Sequence, residues 1–90
     1  MRGRTTLEDA ETMALNALGF LIDSPENLER LMTQSGMDGS TIRQRAAERD
    51  FLAAILDFLM ANEELLLDFC QTTGTDPKAV QMAGHILGGA

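Results

Sequence analysis

Residues 51–69 read FLAAILDFLMANEELLLDF, the densest run of large apolar side chains in the sequence. Within it Leu52, Ile55, Leu56 and Leu59 recur at i, i+3, i+4 and i+7, which is one face of a helix. Asp57 sits inside the run, where the outer side of a helix takes a charge and a strand buried on both faces does not. Asp50 is placed to cap this helix, its carboxylate accepting free amides of the first turn. The pattern restarts at Asn62, another capping residue. Glu63 and Glu64 then fall in a first turn, where the helix dipole favours negative charge. Leu66, Phe69, Cys70 and Thr73 make the next face, and Gly74 suits the left-handed conformation that ends a helix. The stretch therefore reads as two helices. It is not a membrane span: neither apolar run reaches the roughly 18–20 uncharged residues required, and Asp57, Glu63, Glu64 and Asp68 interrupt them.

Working outward, the same grammar recurs. Residues 1–5 are expected to be a flexible N-terminus and residues 6–90 a single helical domain. Thr5 with Glu8 has the form of a capping box, followed by a face of Leu7, Ala10, Ala14, Ala17, Leu18 and Leu21. Ser24 followed by Pro25 starts a second helix, proline being favoured at the first helical position. Its inward residues are Leu28, Leu31 and Met32, with Glu26 and Arg30 spaced to pair outside. Gly36 ends it. Asp38 caps a third helix with Ile42 and Ala46 inside, and Asp76-Pro77 opens a last helix carrying Val80, Ala83, Ile86 and Leu87. The expectation is an all-α bundle of five or six short helices.

An echo runs through this order at a shift of 38 residues, as from Gly36 to Gly74. Under it Leu18 meets Leu56, Phe20 meets Phe58, Leu21 meets Leu59, Glu26 meets Glu64, Leu28 meets Leu66, and Asp38 meets Asp76. Ile42 meets Val80. The alternatives are two copies of a three-helix unit and a chance alignment of six similar amphipathic helices.

The chain has 90 residues, with fourteen acidic and seven basic side chains and a net charge of −7. That length supports one core. The acidic balance argues against nucleic acid, whose binding is driven by positive surface. Without Trp or Tyr, and with four Phe, there is no base-stacking platform to read. The start, MRGRTT, is basic but runs into Leu7-Glu8-Asp9 in place of an apolar segment, so it is not a secretory signal. A soluble cytoplasmic protein with no membrane attachment is the expectation.

Catalytic and metal chemistry find little to stand on. Cys70 is the one thiol. Its apolar flank raises a thiol pKa, whereas a nucleophile needs it lowered, and its counterpart is Met32, so it reads as core. His85, the one histidine, lacks metal-ligand partners at useful spacing and reads as a surface residue near a helix C-terminus. A Cys70/His85 enzyme centre is one alternative. No EF-hand or phosphate-binding loop is present, and no cofactor is implied. Arg43, Arg45 and Arg49 form a candidate basic patch, the basis of a second alternative, a nucleic-acid-associated regulator. The helix that would read DNA begins at Phe51 and is nearly all apolar, with nothing to reach base edges. The arginines otherwise have Asp38, Glu48 and Asp50 to pair with.

The favoured reading is a non-enzymatic module that binds a protein partner or a second copy of itself. Leu65 and Leu67 flank Leu66 by about 100° on either side, giving an apolar arc of about 200°, wider than the stripe of a helix with one face in water. The first-half counterparts, Asn27 and Glu29, are polar. At least one of Leu65 and Leu67 is therefore expected in an interface.

Several of these features together resemble a known family: Glu29-Arg30 after the proline-started helix, Gly36, Arg43, Phe51-Leu52, Leu56-Asp57-Phe58-Leu59, Glu63-Glu64-Leu65-Leu66 and Asp76-Pro77. It comprises short, acidic, all-helical proteins from alphaproteobacteria, catalogued as a domain of unknown function. Gly39 stands where the family pattern has proline. The resemblance implies the fold and the cellular setting, and no catalytic residue.

Overall fold

The structure, a computed structural model, describes residues 6–88. It contains six α-helices: α1 (Leu7–Ile22), α2 (Pro25–Ser35), α3 (Gly39–Arg45), α4 (Arg49–Ala61), α5 (Glu63–Thr73) and α6 (Pro77–Leu87). The Cα radius of gyration is 12.2 Å, close to the ~12 Å of one packed domain of this length. The expected break at Asn62 is real, and the all-α bundle is the fold.

Local chemistry accounts for most boundaries. Ser24 Oγ accepts from the Asn27 amide, and an Asp38 carboxylate oxygen accepts from the Thr41 amide at 2.8 Å. Asp76 does the same for the Lys78 amide at 2.9 Å. Each satisfies an amide that the helix itself leaves unpaired. Gly36 and Gly74 have φ of 74° and 71°, the left-handed region that penalises a β-carbon.

Four local expectations are corrected. The capping box at the start of α1 is Thr6 with Asp9, one residue beyond Thr5 and Glu8; Thr5 lies outside the described residues. Asp50 does not cap α4. The helix begins one residue earlier, with Glu48 at the cap position and no side-chain cap bond. Asn62 does not cap α5 through its side chain either. Its Nδ2 donates 2.7 Å to the Phe58 carbonyl, closing the end of α4 instead. Glu26 and Arg30 do not pair; among the described residues the ion pair is Arg45 Nε with Glu48 Oε1 at 2.9 Å.

The core is built by α1, α4 and α6, which all pack against one another, while α2 lies on α1 and α5 on α4. α4 sits at the centre and buries Phe51, Leu52, Ile55, Leu56, Phe58 and Leu59. α1 contributes Leu18 and Leu21 together with Ala10, Ala14 and Ala17, the alanines being small enough to let helices approach. Leu7, expected on this face, is exposed because it lies in the first turn, before the packed part of α1 begins. α6 adds Val80, Ala83, Gly84 and Leu87. On α5 the buried side is Leu65, Phe69 and Cys70, with Leu66 half-buried. The core axis of α5 is thus rotated away from the expected Leu66.

The 38-residue shift also matches helix boundaries and several buried positions. α2 and α5 coincide end to end under the shift, and α3 and α6 start together. Leu18 and Leu56, Leu21 and Leu59, and Ile42 and Val80 are buried in both halves. Phe20 of the first half meets Phe69 of the second edge-on, with centroids 5.6 Å apart. The exchanged pair, Phe58 and Leu31, lines one cavity between α2 and α4.

Candidate functional site

The halves part company at α3. In the second half, α6 runs 11 residues and lies on α4, with Gly84 allowing the approach. A β-carbon there would sit 2.8 Å from Met60 Cε and 3.7 Å from Leu56 Cβ. In the first half, α3 runs seven residues and ends at Arg45. It makes no comparably close approach to any other helix.

A groove results between α1, α2 and α3. Its volume is about 280 Å³, and it is lined by Leu18 and Ile22 from α1, Leu28 from α2, and Gly39, Ile42, Arg43 and Ala46 along α3. These positions correspond to Leu56, Met60, Leu66, Pro77, Val80, Gln81 and Gly84 under the shift. Leu18 and Ile42 are buried in the first half as Leu56 and Val80 are in the second, but Ile22 is exposed where Met60 is half-buried, and Ala46 is half-buried where Gly84 is buried. Ile22, the counterpart of Met60, is 46% exposed, as is Leu15. Leu15, Leu18 and Ile22 fall at i, i+3 and i+7, so the apolar floor extends along α1 as a stripe.

Arg43 is the one charged side chain in the groove lining. It is exposed and enters no ion pair among the described residues. Beside it, the Thr41 amide and then its hydroxyl hold the Asp38 carboxyl below its ordinary value. That carboxylate serves the start of α3.

The three arginines have different surroundings. Arg45 is half-buried. Besides Glu48, its Nη1 donates to Met37 sulfur at 3.8 Å, and its guanidinium lies 5.6 Å from the Phe51 ring centroid. A cation over an aromatic face is attractive, so Arg45 clips the α3–α4 joint to the loop before α3. Arg49 is exposed in the first turn of α4. Arg43 is turned to the groove.

Leu65 is buried and Leu67 is 51% exposed. On α5 the neighbours of Leu67 at helical spacing are Glu63, Glu64, Cys70 and Gln71; Cys70 is buried, so the exposed side chains around Leu67 are the polar ones.

Cys70 is buried. Burial, and then the charge of Asp76, push its thiol pKa up. His85 is exposed beside a shallow depression with Lys78, Gln81 and Met82, and Cys70 is not part of that lining. Among the described residues no three His, Cys, Asp or Glu side chains converge closely enough to hold a metal ion. No described helix is long and apolar enough to cross a membrane.

A family model for a protein of unknown function, DUF3572, matches residues 7–90. The chain belongs to this family. The match covers all six helices, both halves of the echo and every lining residue of the groove, so the open groove lies within the family domain. No curated protein and no solved structure matches the chain.

The groove is not legible in the sequence. Its lining residues are visible there as core candidates, and Arg43 as part of a basic cluster. The early end of α3 is what the sequence conceals, since its apolar spacing places Ala46 inside that helix.

Proposed function

We propose that this chain is a protein-interaction module without chemistry of its own, and that the groove between α1, α2 and α3 is its binding surface. The observation that carries this reading is the asymmetry between the halves. Met60 is half-buried beside Gly84 of α6 in the second half, whereas its counterpart Ile22 at the groove is exposed, as is Leu15 farther along α1. Contiguous apolar surface of this kind is the usual mark of a protein contact. Uncovering it costs stability that a monomer with no partner has no reason to forgo. A buried thiol with a raised pKa and a histidine in a separate depression give an enzyme reading no centre. With Arg45 engaged inside the fold, Arg43 and Arg49 are a thin basis for holding a phosphate backbone.

The test is a photo-crosslinking residue placed at Ile22, and in parallel at exposed Glu8, in the protein at native abundance. A defined cross-linked protein at Ile22, absent at Glu8 and lost when the exposed Leu15 is replaced by Asp, is the expected result. Equal products at both positions, or none, overturn it.

Self-association through α5 is a second reading, favoured by the exposure of Leu67 where Leu65 and Leu66 are covered. Sedimentation equilibrium of the wild type is then expected to show a dimer that Leu67→Asp shifts to monomer, with far-ultraviolet circular dichroism unchanged. A wild type that stays monomeric at high concentration removes this reading.

A further inference from the structure

We infer that the occupant of the groove is an amphipathic helix of a partner protein, laid along α1 with its apolar side down and a carboxylate at Arg43. This rests on the reading of the groove as the interaction surface. Shape argues for a helix. Leu15 and Ile22 are exposed on the same side of α1, with the buried Leu18 between them, an elongated apolar strip of the kind along which another helix packs. The second half displays a similar solution internally, where α6 lies on α4 against Leu56 and Met60, the counterparts of Leu18 and Ile22. A compact small molecule would use the pocket but leave Leu15 uncovered.

Charge selects the flank of that helix. Arg43 is the one charged group in the lining, and it has no carboxylate partner among the described residues. The corresponding residue in the closed half is neutral Gln81. A guanidinium at the edge of an apolar groove pairs well with Glu or Asp and repels Lys or Arg. A second copy docked groove to groove would bring Arg43 against Arg43 about a twofold axis. Like charges across an interface are unfavourable, so the observations favour a different protein.

Two synthetic helical peptides test this. Both carry leucine at i, i+3, i+4 and i+7; one has glutamates on the flanks and the other lysines. Binding is read from the methyl resonances of Leu18, Ile22 and Ile42 in the full chain. The glutamate peptide is expected to shift these methyls and to bind roughly tenfold more tightly than the lysine peptide, because it forms a charge-assisted hydrogen bond where the other meets a repulsion. Arg43→Glu is expected to reverse the order, and Ile22→Asp to weaken both. Arg43 and Ile22 are exposed, so both variants keep the fold, checked by circular dichroism.

If both peptides bind the groove equally, or Arg43→Glu leaves their order unchanged, the acidic-helix inference fails while the groove remains an interaction surface. If neither peptide binds, the inference is also overturned. If they bind but Ile22→Asp has no effect and the groove methyls do not move, the groove is not the site, and the proposed function falls with it.

Discussion

Leu56 has no solvent exposure and lies on the central helix between α1 and α6. Leu56→Ala is expected to cost about 2–5 kcal/mol in urea unfolding, because the lost packing comes with a cavity that the surrounding helices cannot collapse. A loss under about 1 kcal/mol would place the side chain outside the core. Cys70 makes a complementary test. With its pKa raised by burial and by Asp76, little thiolate exists at neutral pH. A thiol reagent is expected to label it slowly in the native state and at once in denaturant, and fast native labelling would contradict the buried placement. Both residues could be read from the sequence, since each is apolar in both halves of the echo. The roles of Arg45 and Asn62 could not. Whether Arg45 faces Glu48, Met37 and Phe51, and whether Asn62 bonds forward to α5 or back to Phe58, depends on how the helices on either side are set.

At the scale of the element, α3 is the shortest of the described helices, and its first residue is a glycine. Gly39 has open space where a β-carbon would go. The residue before it, Asp38, is extended with ψ of 175°, the conformation a following proline requires. The amide of a first helical residue has no acceptor within the helix. The second half uses Pro77 at this position. Gly39→Pro is therefore expected to raise stability by about 0.4–1 kcal/mol, mainly by restricting the unfolded chain, read as a higher thermal midpoint. A lower midpoint would mean that α3 does not start at Gly39. Helix existence and most ends were legible, because caps, prolines and left-handed glycines act over three or four residues. α4 departed from its expected start, because Phe51 and Leu52 are held by tertiary burial, and the helix extends back to Arg49 without a side-chain cap.

At the scale of the molecule, the halves are interdependent. The core joins α1 of the first half to α4 and α6 of the second, and Phe20 meets Phe69 edge-on across them. Separate chains of residues 1–46 and 47–90 are each expected to lose cooperative unfolding, with helicity recovered on mixing, as measured by circular dichroism. A cooperative transition in the second fragment alone would show that α1 is not required to complete the core. The amino-acid sequence by itself determined that the chain is all-α, where most helices begin and end, and which faces are apolar, since these follow from local hydrogen bonding and a 3.6-residue period. It also carried the echo that pairs one half with the other. Only the tertiary structure decided that α1, α4 and α6 share the centre, that Leu65 is covered while Leu67 is not, and that the first half keeps a groove the second half closes. Those outcomes depend on how far each helix runs against its neighbours. Two apolar faces of equal hydrophobicity are buried or left open according to whether another helix is long enough to reach them.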